Sequence, residues 1–341
     1  MKVSVIMCVH NTPVEYLKTA TESILNQTYE DIEFVIVDDA SDDATVIGYL
    51  NEVSSSADNV VLIKNTSNLG LTKSLNVALS ACKGEYIARM DSDDYSYPDR
   101  IKAQVEYLNT HPDTCLVGCQ IKLFSENVDE ARSSSYYAVY KNRDIYEIAM
   151  LFDHFGPAHP SFMFRGSFLR DNDIHYREDI LKAQDYAIKA DCIMHGGHIA
   201  IMDDELLAYR VHPGQISSTS SDEQKKYHRV TSSRCLAFYY PDLSESELEV
   251  LSTMLIGEYT TQYSAREYVN AIRHLIKLNR ENKAFDAELF EDIVYSYYAN
   301  KAVFAAGNYR KYSYLLSTLW CGRRLKTYKK YFTLVFRSKC I

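Results

Sequence analysis

Glu85-Tyr86-Ile87-Ala88-Arg89-Met90-Asp91-Ser92-Asp93-Asp94 is the stretch whose reading decides the fold. Its first six residues are largely apolar and read as a buried strand. The run then stops in a cluster of acids. Asp91 and Asp93, separated by one residue at a strand end, can share a hard divalent cation such as Mg2+ or Mn2+. Such an ion takes oxygen ligands and keeps waters or substrate phosphates in its shell. Taken alone, the cluster equally suits a solvated turn or a cap for a helix over residues 98–109.

Working outward, the same alternation repeats. Residues 3–9 form a β-branched, apolar run, stopped by Asn11-Thr12-Pro13, with Pro13 suited to a first helical turn. Leu17, Ala20, Thr21, Ile24 and Leu25 then make a helical stripe. Residues 33–37 read as a second strand ending in Asp38-Asp39-Ala40-Ser41, and residues 43–53 as a helix capped by Asp39 or Ser41. A third strand is expected over 59–64, a turn over 66–70, a helix over 71–82 and a fifth strand over 115–124. Strands alternating with helices at this spacing give βαβ units and a parallel sheet covered on both faces. Open α/β sheets bind ligands outside the carboxyl ends of their strands. The polar clusters at 8–11, 38–41 and 91–94 should therefore converge on one edge. A carboxylate at Asp38-Asp39 can accept from a base N–H or a ribose hydroxyl. Neither GxGxxG nor GxxxxGK[ST] occurs, which counts against a dinucleotide dehydrogenase or a P-loop enzyme.

Composition narrows the class. The 341 residues are 46% hydrophobic and 24% charged, ordinary globular values, and only 12 Gly and 7 Pro argue against a linker-rich chain. The 28 tyrosines offer flat faces with polar tips, suited to sugars and to half-buried positions alike. A formal net charge of −9 speaks against nucleic acid as partner. The charge is uneven: no Asp or Glu follows Asp292, and ten Lys or Arg lie between Lys301 and Lys339. Eight scattered cysteines, none in a CxxC pair, read as reduced thiols of a cytoplasmic protein. No apolar run is long enough to span a membrane.

Ser4-Val5-Ile6-Met7 through Asn11, Phe34 through Ser41, Asn68-Leu69-Gly70 and Glu85 through Asp94, taken in this order and spacing, resemble the family 2 glycosyltransferases of the GT-A fold, in particular the bacterial surface-polysaccharide type. The likeness continues through His159-Pro160-Ser161, Ala183-Gln184-Asp185-Tyr186 and Tyr209-Arg210-Val211-His212. It implies an α/β, Rossmann-like GT-A nucleotide-sugar domain over residues 1–220, followed by a helical C-terminal region over 221–341. It implies an inverting, metal-dependent hexosyltransferase using Mn2+ or Mg2+. The donor would be a UDP-sugar, and the acceptor a glycan or polyprenyl-diphosphate-linked oligosaccharide of surface polysaccharide biosynthesis.

Residue by residue, the resemblance makes Asp39 the reader of the uracil ring, with the backbone at Cys8 beside it and Lys73 near the base. Asp91 and Ser92 would serve the ribose and sugar nucleotide, Asp93 the metal, and His212 the metal or diphosphate. Asp185 would be the general base and His159 part of the acceptor site. Gln184 stands where the family commonly has Glu, and no Trp follows, which bears on acceptor recognition more than on catalysis. A sugar nucleotidyltransferase would need a glycine-rich basic loop over residues 8–20, which is absent. A non-catalytic glycan-binding scaffold on the same fold is opposed by the intact Asp91, Asp93 and Asp185.

Three further features have plainer readings. His195-Gly196-Gly197-His198 looks metal-like, but is expected to mark a helix end. Asp203-Asp204-Glu205 is expected in a solvated turn. Leu325, Tyr328, Phe332, Val335 and Phe336 recur at helical spacing with Arg324, Lys326, Lys330 and Arg337 off the stripe. That pattern fits either a peripheral contact with the inner face of the cell membrane or a helix packed on the acidic body.

Overall fold

The computed structural model describes residues 1–134, 142–154, 156–212, 221–254 and 262–304. The basic stripe over 325–337 lies outside them. Contacts divide the described residues into two compact units. One takes in those within Met1–Tyr137 and Gly156–Thr219, the other those within Ala138–Phe155 and Ser220–Ile341.

The first unit is built on a single nine-stranded sheet. Its N-terminal half follows the expected alternation: β1 (Val3–Val9), α1 (Val14–Leu25), β2 (Ile32–Asp38), α2 (Ala44–Ser56), β3 (Val60–Lys64), α3 (Leu71–Ala81) and β4 (Tyr86–Asp91). β3, β2, β1 and β4 lie side by side and parallel. Both faces of β1 and β2 are buried, so their sequences read as continuous rather than alternating apolar runs. Two polar residues inside them, Ser4 and Glu33, satisfy each other. The Ser4 hydroxyl donates to Glu33 Oε1 at 2.5 Å, and the same oxygen accepts from the Lys83 amide at 2.6 Å.

The second half of the sheet departs from the parallel expectation. After β5 (Tyr95–Ser96), α4 (Arg100–Thr110), β6 (Thr114–Phe124) and β7 (Arg132–Ser133), the short β8 (Met163–Arg165) runs antiparallel between β4 and β6. β9 (His198–Arg210) returns parallel to β6 and pairs antiparallel with β5. A three-residue strand set off by a 3₁₀ turn at His159–Ser161 carries too little pattern to reveal its direction. Asp203, Asp204 and Glu205 lie inside β9, not in a turn. The register of β9 against β6 slips around Gly118 and Gln120, and that irregular stretch leaves Asp203 and Asp204 exposed within the strand.

Local signals explain the remaining boundaries. α2 is capped by Asp43, which accepts from the Thr45 amide at 2.8 Å, rather than by Asp39 or Ser41. α4 begins at Arg100, and just before it the Pro98 carbonyl accepts from the Thr28 amide at 2.9 Å. α6 (Gly166–Asp171) follows β8. α7 (Gln184–Met194) ends at His195 with Gly196 at φ +79°, a helix stop as expected. The six described cysteines are free thiols.

The second unit is helical among its described residues: α5 (Arg143–Ala149), α8 (Ser221–Tyr239), α9 (Glu245–Ser252), α10 (Ala265–Asn282) and α11 (Ala287–Phe304). Ser244 and Ser264 cap α9 and α10 reciprocally with Glu247 and Glu267. His274 on α10 meets Glu247 at 2.7 Å, tying the two helices together. Phe152 packs against Tyr297, and Ser232 bonds the Leu151 carbonyl at 2.6 Å, so residues 142–154 share this helical core. Among the described residues, no helix is long and apolar enough to cross a membrane.

Candidate active site

Strand register brings the polar clusters together. Cys8 pairs with Val37 on one side and Asp91 on the other, so the ends of β1, β2 and β4 meet at one edge of the sheet. Thr12 and Ser92 hydroxyls lie 2.7 Å apart across the gap. Asn11, at φ +50°, receives the amides of Asp42 and Asp43 on its side-chain oxygen at 3.0 and 3.1 Å. The loop after β1 is thereby fastened to the loop after β2.

Asp39 is the centre of the β2 end. Its Oδ1 accepts from the Leu69 amide at 2.8 Å and from Asn65 Nδ2 at 2.7 Å, and its Oδ2 from the Gly70 amide at 2.8 Å. Burial pushes the carboxyl up, but these bonds from Leu69, Asn65 and Gly70, with Ser74, outweigh it and hold the group below its ordinary value. Oδ2 keeps room for one further donor. His10 braces the same corner. Its Nδ1 faces the Asp39 carbonyl at 3.0 Å and its Nε2 faces Asn68 Nδ2 at 3.0 Å. The carbonyl can only accept, so the ring carries its proton on Nδ1. Cys8 is held as a thiol by burial. Lys73 stands half exposed on the first turn of α3, 4.0 Å from Glu178.

The β4 end carries the acids. Asp91, Asp93 and Asp94 each offer a carboxylate oxygen within 4.8 Å of the others. Burial raises the Asp91 carboxyl above its ordinary range; Arg89 opposes this, while Asp93 and then Asp185 add to it. Asp94 is fully buried and its carboxyl is pushed well up by burial, then by Asp91 and Asp93. Its Oδ1 accepts from the Arg210 amide at 2.8 Å. The Arg210 guanidinium lies between the Tyr16 and Phe124 rings and donates to the Asp93 carbonyl at 2.7 Å. This brace carries the end of β9 to the acids and sets His212 Nε2 3.1 Å from Asp93 Oδ2.

Asp185 sits in the first turn of α7, after Ala183 in a left-handed turn at φ +61°. A helix N-terminus stabilises a negative side chain. The Asp185 charge adds to the upward push on the Asp91 carboxyl and the Tyr176 hydroxyl, so it lies within electrostatic range of the acidic edge. His159 Nε2 lies 2.8 Å from the hydroxyl of buried Tyr176. Clustered hard oxygens with one imidazole are a donor set that fits Mg2+ or Mn2+.

Arg89, Asp94 and Arg210 stand inside the quoted motifs without a role assigned to them, and Asn65 lies outside the motifs. Arg89 had a signal: two residues before Asp91 on one strand, it must share its face. Arg210 and Asn65 act through contacts far apart in sequence.

An α/β sheet with clustered acids at the carboxyl edge of its strands fits the GT-A glycosyltransferase fold. The sequence agrees: residues 4–172 match the family model described as Glycosyl transferase family 2. An uncharacterized glycosyltransferase of Haemophilus influenzae is 32% identical over 244 residues, 70% of this chain and 74% of that one. An uncharacterized glycosyltransferase of Methanocaldococcus jannaschii is 31% identical over 232 residues, 67% and 77% of the two chains. In fold, the chain is similar to Staphylococcus aureus TarS 1–349 in complex with UDP-GlcNAc, with a TM-score of 0.58 at 19% identity over 87% of this chain and 91% of that one. The chain belongs to glycosyltransferase family 2.

Proposed function

We propose that the protein transfers a hexosyl unit from a UDP-sugar to a glycan or polyprenyl-diphosphate-linked acceptor, with inversion, in surface polysaccharide biosynthesis. The observation that carries this reading is the grouping of Asp91, Asp93 and Asp94, with Asp185 within electrostatic range of them. Asp39, with the backbone at Cys8 and with Lys73 nearby, holds the uracil, and Asp91 and Ser92 the ribose and sugar. Asp93 and His212 hold Mn2+ or Mg2+. When bound, the cation offsets negative charge on the departing diphosphate. Asp185 takes the proton of the acceptor hydroxyl as it attacks, and His159 lines the acceptor side. A single carboxylate base, with no second carboxylate acting as nucleophile, gives inversion, by the logic of inverting glycoside hydrolysis. The UDP-GlcNAc bound by TarS supports a UDP-linked donor. The sheet-bearing unit within residues 1–220 would form the transferase domain, and the helical unit, which takes in residues 142–154 as well as those from 221 on, would carry a basic end that touches the inner face of the cell membrane.

Asp93→Ala tests the assignment. Transfer should fall by orders of magnitude with the fold intact, and UDP binding should lose its dependence on Mn2+. Wild-type transfer rates in the variant would remove Asp93 from the mechanism.

A further inference from the structure

Arg89 is a buried cation on β4 whose two guanidinium hydrogen bonds both go to one partner, while its Nε is buried without a hydrogen bond among the described residues. Nη1 donates to Asp91 Oδ2 at 2.5 Å and Nη2 donates to Asp91 Oδ1, a two-pronged pair in which each carboxylate oxygen is engaged once. The Arg89 backbone is fixed as well. Its amide donates to the Phe162 carbonyl at 2.8 Å, and its carbonyl accepts from Nη2 of the buried Arg100 at 3.1 Å. Arg100 in turn holds the Pro160 carbonyl at 2.7 Å. The base of the acidic edge is thus a rigid cationic support, while Asp93 leans instead on His212.

We propose that Arg89 is a positioning residue for Asp91: it fixes the orientation of that carboxylate and supplies the positive charge that lets three acids stand together, so that Asp91 presents its remaining lone pairs to the donor, beside the cation that Asp93 and His212 would hold. This rests on the metal-dependent, nucleotide-sugar reading given above. A fork-shaped bidentate pair sets the plane of the carboxylate, which a lysine ammonium does not. Partners that orient the ligands of a metal site are worth about 10–100-fold in metal affinity or activity.

The test is Mn2+ binding to the full chain in the presence of UDP, read from the electron paramagnetic resonance signal of free Mn2+, with no turnover involved. Arg89→Met should weaken Mn2+ binding by about 10–100-fold. Arg89→Lys should recover part of that loss while leaving the geometry looser. In an Asp91→Asn background, adding Arg89→Met should cost little more, because the partner it positions is already gone. That double variant removes a buried charge pair at once, so it remains informative if Arg89→Met alone fails to fold. Unchanged Mn2+ affinity in a folded Arg89→Met, or full additivity of the two substitutions, overturns the proposal. Wild-type protein that binds no Mn2+ with UDP overturns the metal reading itself, and this assignment with it.

Discussion

At the residue scale, each acid of the edge has a distinct environment, and distinct consequences follow. Asp185 is a separate side chain on a helix N-terminus, apart from the donor-holding acids. Asp185→Asn keeps its shape and removes the proton acceptor, so turnover should drop ~10²–10⁴-fold. UDP affinity, measured by calorimetry, should be nearly unchanged; a collapse of UDP binding with high residual turnover would contradict the role. Asp39 makes a pH prediction. Folding lowers its carboxyl below 3.8, so the unfolded chain binds the proton more readily. The stability it contributes is fully present above the ordinary aspartate range and is lost as pH falls through the lower folded value. Asp39→Asn should therefore lower the melting temperature at neutral pH, with the gap to wild type closing in strong acid. A gap that widens with acid would show the sign to be wrong.

At the scale of elements, the strands and helices of the N-terminal half were legible because their patterns are long and their punctuation local. Val3–Val9 and Ile32–Asp38 read as buried strands for the same reason that they are buried: parallel strands covered on both faces need no alternation. β8 was opaque in direction because three residues fix no register, and the bulged part of β9 mimics a polar turn. The site was legible where a motif sits on one loop, as at Asp91-Ser92-Asp93, and illegible where an anchor comes from afar, as with Arg210 reaching the Asp93 carbonyl. Gly70 shows how an element boundary serves the site. At φ +81° and ψ 162° it occupies a region essentially reserved for glycine, and its amide holds Asp39 Oδ2. A Cβ there would meet nothing within 4 Å, so the cost of Gly70→Ala is purely conformational. It should destabilise the protein by about 1–3 kcal/mol and weaken UDP binding. Chemical denaturation together with UDP titration checks both; wild-type values in each would refute it.

At the scale of the whole molecule, every proposed catalytic and donor residue falls in the sheet-bearing unit, and the basic residues after Lys301 lie outside the described residues. The helical unit is discontinuous in sequence, since residues 142–154 pack with α8 and α11. The division at residue 220 implied by the family resemblance follows order along the chain and not which segments share a core. Deleting residues 322–341 removes seven basic side chains from Arg323 to Lys339. Each contributes about 1 kcal/mol beside an anionic leaflet. The truncated protein should stop co-floating with vesicles containing phosphatidylglycerol, and high salt should weaken the flotation of the intact chain. UDP-sugar hydrolysis should persist. Unchanged flotation with a lower melting temperature would instead make the tail part of the protein's own packing.

Metal-dependent, inverting transfer from a UDP-linked sugar is tested most directly by following the sugar itself. The purified full chain is incubated with α-linked UDP-hexoses, with Mn2+ or with chelator, and the anomeric configuration of the released or transferred sugar is read by NMR before it mutarotates. A β product should form with Mn2+, disappear with chelator, and be lost in Asp185→Asn. An α product, or equal turnover in chelator, would contradict it.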